Sequence, residues 1–275
     1  MKLPEIKKER VYGSPVLTSF LKEPKAVCLD FRGHGMGDCI MFMPLYNRLK
    51  ELYPECQFDL ICSKGQEYFN TVTREDYDLV YPLTFPEFNN RYYGNTGKSK
   101  PEVCCVYELG IPFTEDIEFT WKPGELHCNI EIPENTVGIA FQVTSNPHKS
   151  ILYENAKRVW NTVKEAGYTP LEVHFNHILR DPRNTKYNFI DNTCRDYEAT
   201  VENCLGVIKQ CRGFIGVNTG TFCAAVSILG NVLHMFKRWP FAYYKRFKPV
   251  PEIDCRDLVT VDTSKVQKYL EGLCP

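Results

Sequence analysis

Apolar positions along the chain fall into short runs that alternate with longer amphipathic stretches. Lys25-Ala-Val-Cys-Leu-Asp-Phe31 is a run of buried-strand type, and it ends in the glycine-rich turn Arg32-Gly-His-Gly-Met-Gly-Asp38. After the turn, Ile40, Met43, Leu45, Leu49 and Leu52 recur near helical spacing until Tyr53-Pro54 stops the pattern. Phe58-Asp-Leu-Ile-Cys62 and Tyr77-Asp-Leu-Val-Tyr81 read as a second and a third strand. Strand, helix and strand in this order predict a parallel α/β sheet. Residues 84–100 are polar and aromatic without periodicity, which predicts a long loop of the kind that often carries function. A helix near Pro101–Leu109 and a strand near Ile117–Trp121 close the first half.

The alternation then restarts after Pro123-Gly124 and Ile132-Pro-Glu-Asn135. Strands are expected at Thr136–Phe141, Pro170–His174, Gly213–Val217, Asn231–Phe236 and Leu258–Val261. Helices are expected at Tyr153–Ala166, Ala199–Cys211, Thr221–Leu229 and Ser264–Leu273. Two α/β halves of this kind predict a ligand cleft between them at the carboxyl ends of the strands.

Composition agrees with two domains. The chain has 275 residues, 43% hydrophobic and 24% charged, with a net charge of -1. That length is near the limit for one core, and the apolar fraction excludes a disordered or collagen-like chain. No apolar run of about 18 residues suggests a membrane span, and the charged start lacks a signal-peptide core. The thirteen cysteines include no Cys-x-x-Cys pair, so they read as reduced, packing residues of a cytoplasmic protein. Residues 1–130 carry 15 Lys/Arg against 19 Asp/Glu and the remainder 18 against 15, a mild basic surplus in the second half.

Three segments could carry chemistry. In Gly33-His34-Gly35-Met36-Gly37-Asp38, glycines let the backbone approach a ligand and Asp38 places a carboxylate at a helix start. The spacing is neither the dinucleotide fingerprint nor a Walker A loop. A plain helix cap, worth about 1 kcal/mol, accounts for Asp38 equally well. In Gly216-Val-Asn218-Thr219-Gly220-Thr221-Phe-Cys223-Ala-Ala225, small hydroxyls and exposed N–H groups at a helix N-terminus suit a phosphate or diphosphate. An ordinary capped helix is again the plainer alternative. The third is the polar loop Phe141–Ser150, with Thr144, Ser145 and Lys149, where the lysine could reach a phosphate beside the strand end. No metal site is expected. Asp76-Tyr-Asp78 lies at a strand start rather than an end, and His174 and His177 lack a third ligand.

Taken in order, these segments resemble the ADP-heptose:lipopolysaccharide heptosyltransferase family (glycosyltransferase family 9). Gly37-Asp38 is followed by a helix carrying Pro44 and stopping at Tyr53-Pro54. Val137–Phe141 leads to Lys149 and a helix with Trp160, and Gly216-Val-Asn-Thr-Gly220 precedes Ala224-Ala225 and Val232–Phe236. The likeness extends over roughly residues 25–238. It implies a GT-B fold, two Rossmann-like domains with parallel sheets facing a central cleft. Residues 1–130 would form the acceptor-binding domain and residues 131–275 the nucleotide-sugar-binding domain, with the last helix a candidate to pack back on the first.

The resemblance further implies an inverting, metal-independent transfer with Asp38 as general base. The loop His34, Gly35, Met36 and Gly37 would lie on the acceptor side. Lys149, Thr219 and Gly220 fall on the family's donor-phosphate contacts, with Thr144, Ser145, Asn218, Thr221 and Cys223 around them. Asn218 stands where the family has Asp, and Cys223 where it has His. No cofactor is implied beyond the nucleotide-diphosphate sugar as co-substrate.

The acceptor is left open between a glycan or glycolipid and a hydroxymethylated DNA base. Lys237–Lys248 interleaves five cations with five aromatics, which fits nucleic acid, a glycolipid surface or a plain rim loop. A non-catalytic nucleotide or nucleotide-sugar binding protein of the same fold is the alternative.

Overall fold

A computed structural model describes residues 15–23, 25–63, 67–83, 100–112, 121–142, 149–174, 187, 189–194, 200–237, 250–256 and 260–273. The chain divides into two compact units, with the break between Trp121 and Lys122.

In the N-terminal unit, β1 (Ala26–Asp30) pairs in parallel with β2 (Gln57–Ile61) on one side and β3 (Leu79–Pro82) on the other. Its strands are short and apolar because the sheet is buried on both faces. The helix α1 (Met36–Leu52) crosses between β1 and β2 and buries Cys39, Ile40, Phe42, Leu45 and Leu49, with Pro44 inside it. The helix expected near Pro101–Leu109 is α2 (Lys100–Cys104), which continues as one widened turn over Cys105–Leu109. It ends at Gly110 with φ +69°, a conformation that favours glycine. The strand expected near Ile117–Trp121 falls mostly outside the described residues, as does all but the last residue of the 84–100 loop.

The C-terminal unit is a five-stranded parallel sheet in the order β5-β4-β6-β7-β8. Its elements are β4 (Thr136–Ala140), α3 (Tyr153–Glu165), β5 (Thr169–Glu172), α4 (Val201–Gln210) and β6 (Gly213–Gly216). They continue with α5 (Gly220–Ile228), β7 (Val232–Phe236), β8 (Glu252–Asp254) and α6 (Thr263–Glu271). Trp160, Val159 and Val163 of α3 close over Val137, Ile139, Ile215 and Leu233 of the sheet, forming one continuous core. Strand β8 was not anticipated. The strand expected at Leu258–Val261 begins outside the described residues, and Val261 itself is a buried loop residue that donates its N–H to Asn155 Oδ1.

The last helix buries its apolar face in its own unit. Val266 and Leu270 enter this core, and Tyr269 Oη donates to the Asn231 carbonyl at 2.9 Å. An amphipathic helix of this kind turns its apolar stripe inward, and within the unit α6 lays it against α3 and β6. Twelve of the cysteines are described, and all twelve are free thiols. Among the described residues no helix is long and apolar enough to cross a membrane.

Candidate functional site

The glycine loop after β1 is fastened to both neighbouring strands. Gly33 takes φ +92°, a left-handed conformation open to glycine, and its N–H donates to Ser63 Oγ just beyond β2 at 2.7 Å. His34 Nε2 lies 2.7 Å from the Leu83 carbonyl just beyond β3 and therefore donates to it. The imidazole packs against Phe31, which stacks in turn on Phe42 of α1. Asp30, nearly fully buried at the end of β1, accepts from the Arg32 N–H, Nε and Nη2. That fork holds the Arg32 guanidinium charged above its ordinary range.

This geometry sorts the expected acceptor-side residues. His34 and Met36 are buried, with the histidine committed to a carbonyl, while Gly35 is exposed and Gly37 partly so. Asp38 is partly exposed on the third residue of α1, where Oδ2 accepts the N–H of the helix-capping Gly35 at 3.3 Å. At that length the bond is weak, so Asp38 has a capping role without being consumed by it.

In the C-terminal unit, the carboxyl ends of β6 and β7 and the turn before α3 enclose a small pocket. Lys149, Val217, Asn218, His234, Met235, Phe236 and Lys237 line it. Thus two of the expected donor residues, Lys149 and Asn218, come together, although 69 positions separate them. Thr219 caps α5: its Oγ1 accepts the Phe222 N–H at 3.0 Å and pairs with Thr221 Oγ1 at 2.8 Å. In a helix the first N–H groups, here those of Gly220 and Thr221, have no intrahelical acceptor, and the helix dipole favours an anion beside them. Cys223, one turn further, is 1% exposed and packs inside the unit. Thr144 and Ser145 lie outside the described residues.

Sequence reasoning missed Lys237 and His234 as pocket residues. In the sequence Lys237 opens a basic, aromatic segment, and its other residues, 238–248, lie outside the described ones. His234 looked like an interior strand residue, and it is one. Asp78 proves structural, since its Oδ2 accepts the Ala26 N–H at 2.7 Å. His174 is buried with Nε2 3.5 Å from Glu172 Oε1, and Glu172 also accepts from Thr193. His177 is outside the described residues. Among the described residues, no group of three His, Cys, Asp or Glu side chains could hold a metal ion.

The sequence matches no protein-family model and no curated protein. Solved structures do match in fold. Escherichia coli ADP-heptose lipopolysaccharide heptosyltransferase II is 10% identical with a TM-score of 0.59, over 90% of this chain and 98% of that one. A family 9 glycosyltransferase of Veillonella parvula is 10% identical with a TM-score of 0.55, over 91% and 90%. The dodecameric iron-containing heptosyltransferase TibC, solved with ADP-D-β-D-heptose, is 14% identical with a TM-score of 0.57, over 81% and 63%. With its parallel α/β sheets, the chain has the fold of the GT-B glycosyltransferases, heptosyltransferases among them.

Proposed function

We propose that the protein is an inverting glycosyltransferase that moves a sugar from a nucleotide-diphosphate sugar to an acceptor hydroxyl. The observation that carries this reading is the pocket that draws Lys149, Asn218 and Lys237 together at strand carboxyl ends, in a chain with the heptosyltransferase fold. Nucleotides bind at such strand ends in open parallel sheets.

In the proposed reaction Asp38 takes the proton of the acceptor hydroxyl as its oxygen attacks the anomeric carbon. The bond to the diphosphate breaks on the opposite side, and the nucleoside diphosphate leaves with the electron pair. Base catalysis of this kind typically contributes 10²–10⁴-fold. Lys149, Lys237 and the N–H groups at the start of α5 offset the charge that develops on the leaving diphosphate, with no metal assigned a part. Thr219, Gly220 and Thr221 line that helix start, with Asn218 beside the sugar-phosphate. The acceptor is a glycan or glycolipid hydroxyl, or that of a hydroxymethylated DNA base, and transfer to each class distinguishes them.

Calorimetric titration with ADP, UDP and GDP tests the donor half. Wild type is expected to bind one of them, and Lys149→Ala to bind it at least tenfold more weakly. Equal affinity in the variant would remove Lys149 from the site, and binding of none would overturn the reading. A second reading, a nucleotide-sugar binding protein without catalysis, draws on Asp38 serving the Gly35 cap. Release of nucleoside diphosphate in the presence of acceptor separates the two.

A further inference from the structure

Two thiols meet beside the glycine loop of the N-terminal unit. Cys39 lies in the first turn of α1, directly after Asp38, and Cys62 directly follows β2. Cys39 Sγ donates to Cys62 Sγ at 3.8 Å, and the residues are 0% and 6% exposed. Each is tied to the loop through the backbone around it. The Cys39 N–H donates to the Gly35 carbonyl at 3.2 Å, and the residue after Cys62, Ser63, accepts the Gly33 N–H on Oγ at 2.7 Å. The thiol contact therefore links the two places at which the loop is fastened. A disulfide brings its sulfurs to about 2 Å, so a covalent bond here shortens the contact by nearly half. Whatever movement Cys39 makes is passed to Gly35 by its hydrogen bond and to Asp38 by the chain itself.

We propose that Cys39 and Cys62 form a redox-sensitive latch: a hydroperoxide converts the pair to a disulfide, which draws the start of α1 toward the end of β2 and resets the glycine loop. The hydrogen bond to Cys62, with burial behind it, pushes the Cys39 thiol above its ordinary range, so Cys39 keeps its proton until the last step. Cys62, the acceptor and the more exposed of the two, attacks the peroxide first. An S–O bond forms, the O–O bond breaks, and water leaves with the Cys62 proton. Cys39 then attacks the sulfenic sulfur of Cys62. The S–S bond forms, the S–O bond breaks, and a second water leaves with the Cys39 proton. Two thiols are thus oxidised and one peroxide is reduced to two waters, and a dithiol reverses the change. Burial restricts the pair to a small oxidant and makes it slow. The consequence for turnover alone rests on the reading of Asp38 as base: with Asp38 displaced, the oxidised chain is the slower form.

The test treats the full chain with hydrogen peroxide, blocks remaining thiols and digests with trypsin. The expected product joins Gly33–Arg48 to Glu51–Lys64 with the loss of two hydrogens, and fragmentation places the link on Cys62 rather than on Cys56 of the same peptide. Hydrogen exchange over residues 33–38 is expected to change by about threefold or more on oxidation and to return with dithiothreitol. Oxidation of Met36, Met41 or Met43 in that peptide is not reversed by dithiothreitol, which separates it from the latch. Cys62→Ala, checked for folding by its melt, is expected to show no reversible change. If that variant does not fold, the peptide map of the wild type still decides. Oxidation of other thiols without a link between Cys39 and Cys62 would overturn the inference, as would a link that leaves exchange over the loop unaltered. A link that alters the loop but leaves nucleoside diphosphate release at the reduced rate would instead remove Asp38 as base and leave the latch standing.

Discussion

Replacing Asp38 separates the two jobs proposed for one carboxylate. As a helix-start residue it accepts the Gly35 N–H at 3.3 Å and lies, partly exposed, beside the positive end of α1. Asp38→Asn keeps an acceptor oxygen there and removes only the charge, which costs about 0.3–1 kcal/mol. Asp38→Ala removes the acceptor as well, about 1 kcal/mol in all. Losses of that size lower the melting temperature of a unit this large by about 2–6 °C. At 25 °C both variants remain essentially fully folded. As a general base the same carboxylate is worth about 10²–10⁴ in turnover, or roughly 3–5 kcal/mol of barrier. The two roles therefore differ by several kcal/mol and by observable. The assay follows nucleoside diphosphate release at saturating donor and acceptor, beside a melt of each variant. Both variants are expected to lose at least a hundredfold in turnover, with Asp38→Asn close to wild type in stability and in donor affinity. If Asp38→Asn kept more than a tenth of wild-type turnover, the carboxylate would be a cap and the base would have to be found elsewhere.

Other substitutions probe the frame around the sites. Gly138→Ala puts a Cβ 2.4 Å from the ring of Phe214 on the neighbouring strand, so a loss of about 1–3 kcal/mol is expected in urea unfolding; an unchanged midpoint would show that the ring yields freely. Gly33→Ala meets no atom within 4 Å, and only its φ of +92° resists; the expected loss is about 1–2 kcal/mol, and a much larger one would reveal a steric role for the loop. His234 has a folded-state pKa below the ordinary 6.5. As pH falls through 6.5 the unfolded chain takes up that proton first, so stability drops until the folded-state value is passed. Wild type is accordingly expected to lose more stability between pH 7.5 and pH 5 than His234→Asn, measured by denaturant unfolding at both pH values. Identical losses would refute the burial argument.

The alternation of apolar runs with amphipathic stretches was enough to read parallel α/β units, because each strand between two helical layers must be apolar throughout. It was not enough to find β8. Glu252-Ile-Asp254 has one apolar residue in three, and it is a strand because it pairs with β7 at His234, Met235 and Phe236. The more apolar run at Leu258–Val261 is the better strand by composition, yet Val261 is loop.

The same reason limits how much of the pocket could be read. Gly216-Val-Asn-Thr-Gly220 can be picked out by its own chemistry as a candidate anion-binding turn, with an ordinary capped helix as the plainer alternative, and Lys149 by its place in the polar loop after β4. Lys237 and His234 carry no such mark. They become pocket residues because the sheet order places β7 beside β6, so that Phe214, Ile215 and Gly216 run level with Val232, Leu233 and His234. The residues just past β6, Val217 and Asn218, then face those at the end of β7 and just past it, Phe236 and Lys237. Sheet order in turn depends on contacts between strands far apart in the chain, which local pattern does not encode. A lysine that looks like the start of a basic surface segment is thus a pocket wall. A buried histidine that looks like core is held by Glu252 of the strand the pattern missed.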